Sequence, residues 1–294
     1  LNLYRDVCLL PESYEMLKFC ETIIYNNALG DPHPLGAMVN NLRLWGERYS
    51  TAEMMKMDQP IKSMLPGLTH LKYLELGFVA ITRCAFALFG QTPAPFSLTA
   101  LEIYLEVEEE SLIDLILPLF RSLRHLDLCV SYPEDEAIRG MTIASTPPNP
   151  PRIPLNPPRR LTTLKINGNF RSSAICNLIA STEATKTGLC GWNMLDGLSF
   201  LRNSEVMMEL EVEFYDEPEE GDSDKSLLKL TNLTSLTFRV DGPNRGGHYV
   251  SNHFFTDYFA PELPLQSLAL DVDFSIDFSD LVGAFKSKPA SLKT

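Results

Sequence analysis

Residues 68–78 read LTHLKYLELGF, with Leu71, Leu74 and Leu76 in the pattern L-x-x-L-x-x-L-x-L. The phrase returns in seven variants: VNNLRL (39–44), SLTALEI (97–103), RSLRHLDL (121–128), RLTTLKI (160–166), MMELEV (207–212), LTNLTSLTF (230–238) and LQSLALDV (265–272). A phrase recurring every 20–50 residues or so is the signature of a solenoid, in which each unit buries its apolar face only by stacking on its neighbours. The L-x-L ending is a strand signal, because side chains alternate between the two faces of a strand. The middle leucines fall at 42, 74, 101, 126, 164, 210, 236 and 268, giving steps of 32, 27, 25, 38, 46, 26 and 32.

Helical stripes separate the phrases. Met16, Leu17, Phe19, Cys20, Ile23 and Ile24 recur at helical spacing within Ser13 to Leu29, and Gly30-Asp31-Pro32 stops that helix. Later stripes are Met54, Met57, Ile61 and Met64, with Pro60 as a kink or break; Ile81, Cys84, Ala85, Leu88 and Phe89; and Leu112, Ile113, Ile116, Leu119 and Phe120. Ile175, Leu178 and Ile179, then Phe254, Phe255, Tyr258 and Phe259, then Phe278, Leu281, Val282 and Phe285 complete them. The expected layout is a capping strand and helix over 1–36 and a repeat domain of about eight irregular units over 37–294. The two longest steps imply insertions near 133–160 and 185–206. The first holds the proline-rich Thr146–Arg160, an extended segment carrying P-x-x-P at Pro148–Pro151; the second leaves room for a helix over about 192–203.

The fold class that follows is α/β, a leucine-rich-repeat solenoid forming a curved horseshoe, with parallel strands on the concave face and helices on the convex face. Strand alternation assigns the concave face. Arg43, Glu75, Glu102, Asp127, Lys165, Glu211, Thr237 and Ala269 lie between the last two apolar residues of each phrase. Trp45, Tyr104, Asn167, Glu213, Arg239 and Asp271 lie two positions on, and Tyr73, His125 and Glu209 two positions before. Acids interleaved with aromatic residues suit a protein partner with a basic segment. Glu205 to Asp224 adds ten acids and no base.

The net charge of −13 disfavours nucleic acid and anionic membrane surfaces as partners. Mean hydropathy is −0.05, and no apolar run approaches the roughly 18 residues of a membrane helix. The first 20 residues lack a signal-peptide pattern. The six cysteines show no C-x-x-C, so reduced thiols and a cytoplasmic or nuclear location are expected. Nothing in the sequence marks an enzyme, a cofactor site or a metal site. The five histidines form no zinc motif, and His248 with His253 reads as surface; no G-x-S-x-G, Walker or G-x-G-x-x-G sequence occurs.

The opening LYRDVCL, the helix SYEMLKFCETII and the strand VNNLRLWG, followed by irregular leucine phrases, resemble fungal F-box proteins with leucine-rich repeats, in the segment that follows the F-box. The resemblance implies a non-enzymatic substrate-recognition region of an F-box-type ubiquitin ligase subunit. It also implies a Skp-type adaptor, bound only through an F-box that would lie before Leu1 and is missing from this chain. The alternative is a stand-alone leucine-rich-repeat scaffold or adaptor with no ubiquitin ligase link.

Overall fold

The computed structural model describes residues 5–9, 13–30, 34–44, 59–77, 86, 96–131, 158–201, 205–215, 230–240 and 264–272. Contacts divide the chain into two units, Leu1–Tyr132 and Pro133–Thr294. The strand and helix expected to cap the repeats belong to the first unit.

In the first unit the order is β1 (Asp6–Leu9), α1 (Ser13–Ala28), α2 (Leu35–Met38), β2 (Asn41–Leu44), helical residues 59–64 running into a 3-10 turn (Leu65–Gly67), β3 (Tyr73–Leu76), β4 (Ala100–Glu106), a 3-10 turn (Val107–Leu112), α3 (Ile113–Leu119) and β5 (His125–Ser131). Each strand pairs in parallel with the next in sequence. Parallel neighbours require a crossover, and helices occupy several of the intervening segments. α1 buries Met16, Cys20 and Ile23 from its predicted stripe. It ends where Gly30 takes φ 65°, a left-handed residue after the helix that favours glycine. Burial of Cys20 pushes its thiol pKa up to about 12, which leaves it a small protonated hydrophobe.

The second unit holds β6 (Arg159–Asn169), α4 (Ser173–Ala180), β7 (Thr182–Trp192), α5 (Met194–Ser199), β8 (Glu209–Phe214), β9 (Ser235–Val240) and β10 (Ser267–Val272). Its strands also pair in parallel in sequence order. Ser172 caps α4, its hydroxyl accepting from the Ile175 N–H. The helix then buries Ile175, Leu178 and Ile179, the predicted stripe.

Register explains the leucine spacing. Leu42, Leu74, Leu101 and Leu126 stand opposite one another in the first unit, and so do Leu44, Leu76, Ile103 and Leu128. None of these eight is more than 2% exposed. One backbone device repeats at the start of the strands. The carbonyl just before a strand accepts two N–H groups of the following phrase: Asn40 from Lys72 and Tyr73 (2.8 and 3.1 Å), Lys72 from Thr99 and Ala100 (2.8 and 3.0 Å), Thr99 from Arg124 and His125 (2.8 and 3.0 Å). Met208 and Thr234 do the same in the second unit. Each of these phrases is thereby locked to the one before it, and no slip by one residue is accommodated there.

Two expectations change. The stretch 185–206 is no insertion: it contains β7, a full ladder strand, and α5, which falls inside the helix anticipated over 192–203. Thr187 takes the register position of Leu164 and Leu210, so the 46-residue step is two steps of 23 with a threonine where the pattern demands leucine. The tail of the proline-rich stretch, Arg159 and Arg160, is the beginning of β6, whose ladder recruits them once the prolines end. Trp45, Met54, Met57, the stripes on Ile81 to Phe89, on Phe254 and on Phe278, the P-x-x-P and the pair His248 and His253 lie outside the described residues, apart from Phe86, which is buried in edge-to-face contact with Phe120; Ile61 and Met64, the rest of the stripe begun by Met54 and Met57, are fully buried.

Leu74 is fully buried in the row of middle leucines. Leu74→Ala is expected to cost about 2–5 kcal/mol of folding stability, measured by urea unfolding; a loss under about 1 kcal/mol would contradict this packing.

Candidate protein-interaction face

The register that buries the leucines also aligns the residues between them. In the first unit one row runs Cys8, Arg43, Glu75, Glu102, Asp127, and the row two residues earlier runs Asp6, Asn41, Tyr73, Ala100, His125. Tyr104 stands opposite Cys129 in a third row. In the second unit the rows are Lys186, Glu209, Ser235, Ser267; Lys165, Gly188, Glu211, Thr237, Ala269; and Asn167, Cys190, Glu213, Arg239, Asp271. The sequence-derived face residues within these strands therefore share one side of the sheet in each unit, opposite the leucines.

These rows are knitted together by side-chain bonds. Glu75 is only 3% exposed, so its charge requires compensation. Arg43 Nε lies 3.2 Å from its Oε2, and the Tyr73 hydroxyl donates to the same oxygen at 2.7 Å. The hydroxyl also lies 2.9 Å from Glu102 Oε2, and Tyr104 donates to Glu102 Oε1 at 3.2 Å. The Arg43 guanidinium rests over the Tyr73 ring, 5.4 Å from its centroid, a cation–π contact. Burial, reinforced by the Glu75 and Glu102 carboxylates, pushes the Tyr73 phenol well above its ordinary range. Burial together with Glu102 does the same to Tyr104, and burial with Asp127 raises the Cys129 thiol. Beside this network Asp6, Val7, Cys8, Asn41, Arg43 and Tyr73 line a groove of about 370 Å³.

In the second unit the charges are paired at half-exposed positions. Lys186 Nζ meets Glu209 at 2.8 Å, while Arg239 bonds Glu211 and approaches Glu213 at 4.0 Å. Such exposed pairs contribute about 0–1 kcal/mol each. Lys165 is exposed, and the stem of its side chain lies against Gly188, where a Cβ would stand 3.4 Å from Lys165 Cγ.

Sequence reasoning missed Lys186, Gly188, Cys190 and Trp192, because β7 was not recognised; halving the 46-residue step would have found them. It also missed Tyr215, one residue beyond β8. The Cys190 thiol donates to its hydroxyl at 2.9 Å, Asn167 Nδ2 donates to it at 3.3 Å, and Trp192 meets its ring edge-on at 5.0 Å. Burial, then the bond with Cys190, raises the Tyr215 phenol. Of the assigned residues, Trp45 and the Asp271 side chain lie outside what the structure describes. Among the described residues no group of His, Cys, Asp and Glu is arranged to hold a metal ion, and no helix is long and apolar enough to cross a membrane.

The Tyr73 phenol sets a pH test. A folded-state pKa raised above the unfolded value stabilises the fold below the ordinary phenol pKa of about 10 and loses that contribution as pH rises beyond it. Tyr73→Phe is expected to cost about 1–3 kcal/mol near pH 7, where Glu75 loses a donor. Its stability curve should converge on that of the parent protein above about pH 10. Urea melts across pH 7 to 11 check this; curves that stay parallel throughout would rule out a raised Tyr73 phenol.

Comparison of the chain with protein-family models gives no match, and comparison with curated protein sequences gives none.

Proposed function

We propose that this chain is a leucine-rich-repeat solenoid, a curved horseshoe whose polar strand face holds a protein partner, and that it serves as the substrate-recognition region of an F-box-type ubiquitin ligase subunit in the cytoplasm or nucleus. It works by binding and positioning, not by catalysis. The observation that carries the binding role is the register: tyrosines, acids and arginine are lined up in rows on the face opposite the leucines, over consecutive strands in each unit. An array of this kind offers an extended surface with rigid aromatic anchors.

The charge of that face suits a partner with a basic segment, and the fit is best in the first unit. Among the described residues of its rows, Asp6, Glu75, Glu102 and Asp127 stand against the single cation Arg43. Among the described side chains of the second unit's rows, Lys165, Lys186 and Arg239 balance Glu209, Glu211 and Glu213. A lysine- or arginine-bearing segment lying across β4 and β5 gains the surplus negative field there. The link to ubiquitin ligation rests on the resemblance of the opening strand, helix and phrases to F-box proteins, with the adaptor bound through an F-box outside this chain.

The test is affinity capture with the product of the complete open reading frame. A Skp-type adaptor and a second, basic protein are expected in the captured material. Glu102→Lys with Asp127→Lys should weaken the second protein about tenfold or more at low salt and leave the adaptor unchanged. Capture of the second protein without any adaptor would support a stand-alone scaffold and overturn the ligase assignment. Capture indifferent to the charge reversal would overturn the acidic face.

A further inference from the structure

At four places in the described ladders an acid stands opposite a cation of the neighbouring strand and is paired with it. Glu75 faces Arg43 at 3.2 Å, Glu183 faces Arg160 at 3.6 Å, Glu209 faces Lys186 at 2.8 Å, and Glu213 faces Arg239 at 4.0 Å. Glu102 breaks the pattern. Its neighbours in register are Glu75 and Asp127, both acids, and like charges directly opposite one another are destabilising. Among the described residues its carboxylate meets two phenols and no cation. The charge missing from this point of the row is positive. The phenols also orient the carboxylate: the Tyr73 hydroxyl lies 2.9 Å from Oε2, and Tyr104 donates to Oε1 at 3.2 Å. A carboxylate offers about four acceptor sites, so one contact on each oxygen leaves a site open on each.

We propose that Glu102 and Tyr104 form a seat for one arginine side chain of the partner, read in preference to lysine. The inference rests on the binding role proposed above and names the residue type that the polar face selects. A guanidinium presents two parallel N–H donors, which match an open site on each carboxylate oxygen; an ammonium is a point charge without that fork. The neighbouring strands show the same chemistry filled from within the chain. The Arg43 guanidinium bonds the Glu75 carboxylate and rests 5.4 Å from the centroid of the Tyr73 ring, while the Tyr73 hydroxyl donates to that carboxylate. Glu102 repeats the carboxylate, Tyr104 repeats the donating phenol with a half-buried ring, and the arginine is left for the partner to supply. Asp127, next in the row, adds to the negative field that draws it in.

Two acetylated and amidated peptides serve as probes, one with three arginines spaced by glycines and one with three lysines in the same places. Each is titrated into the whole chain at low salt, with binding followed by chemical-shift perturbation in NMR. The arginine probe is expected to bind about threefold to tenfold more tightly than the lysine probe. Glu102→Gln keeps the shape and removes the charge, so it should bring the arginine probe down to the level of the lysine probe. Glu21→Gln removes the same charge from the exposed side of α1 and should leave the preference intact. If the Glu102 variant does not fold, the two probes compared on the parent protein decide. Equal affinity for both probes, or an arginine preference that survives Glu102→Gln, overturns the seat and leaves the acidic face standing. Failure of both probes to bind the parent protein overturns the acidic face itself, and the seat with it.

Discussion

The parallel register between consecutive strands is the constraint on which everything else depends. Because side chains alternate along a strand, the pairing that sets Leu74 between Leu42 and Leu101 also sets Glu75 between Arg43 and Glu102. Core and candidate surface are two consequences of one alignment. Sliding a strand by one residue would bury the acids and expose the leucines. The paired N–H donors on the carbonyls of Asn40, Lys72 and Thr99 oppose such a slide at the start of each strand, and burial of the leucines, worth about 1.5–3 kcal/mol per side chain, opposes it along the strand.

The polar face is more than a solvated surface left over from the core. Glu75 is almost completely buried there and is held by Arg43 and Tyr73. Removing one partner of such a group costs more than the bond itself contributes, because the carboxylate remains buried. The network therefore stiffens the first unit's face, and a preorganised face would lose less entropy in the binding role proposed for it. The second unit solves the same problem differently, with exposed ion pairs around Arg239 and Lys186 and an aromatic contact between Trp192 and Tyr215. Its face is nearly neutral, so the two halves of the chain offer surfaces of different charge despite sharing one construction.

Much of this was legible in the sequence. The L-x-L endings located the strands built on Leu42, Leu74, Leu101, Leu126, Leu164, Leu210, Leu236 and Leu268, and alternation placed Arg43, Glu75, Glu102 and Asp127 in one row. β7 escaped because its buried positions carry Ala184 and Thr187: the strand is held by backbone pairing to β6 and β8 on both sides, and backbone bonds leave no trace in side-chain pattern. The bond from Tyr73 to Glu102 and the contact of Asn167 with Tyr215 join residues 29 and 48 positions apart, distances at which residue type alone cannot name a partner. Counting charges suggested an open acidic face; the pairs that neutralise much of it in the second unit became visible only when the strands were brought side by side.

The status of β7 decides the continuity of the second unit's ladder. Amide hydrogen exchange over residues 182–192, followed by NMR or by mass spectrometry of overlapping peptides, tests it most directly. A strand paired on both sides should be protected to the same degree as residues 159–169 and 209–214. Exchange of residues 184–191 at the rate of an unstructured peptide, with the flanking strands still protected, would contradict the register described here.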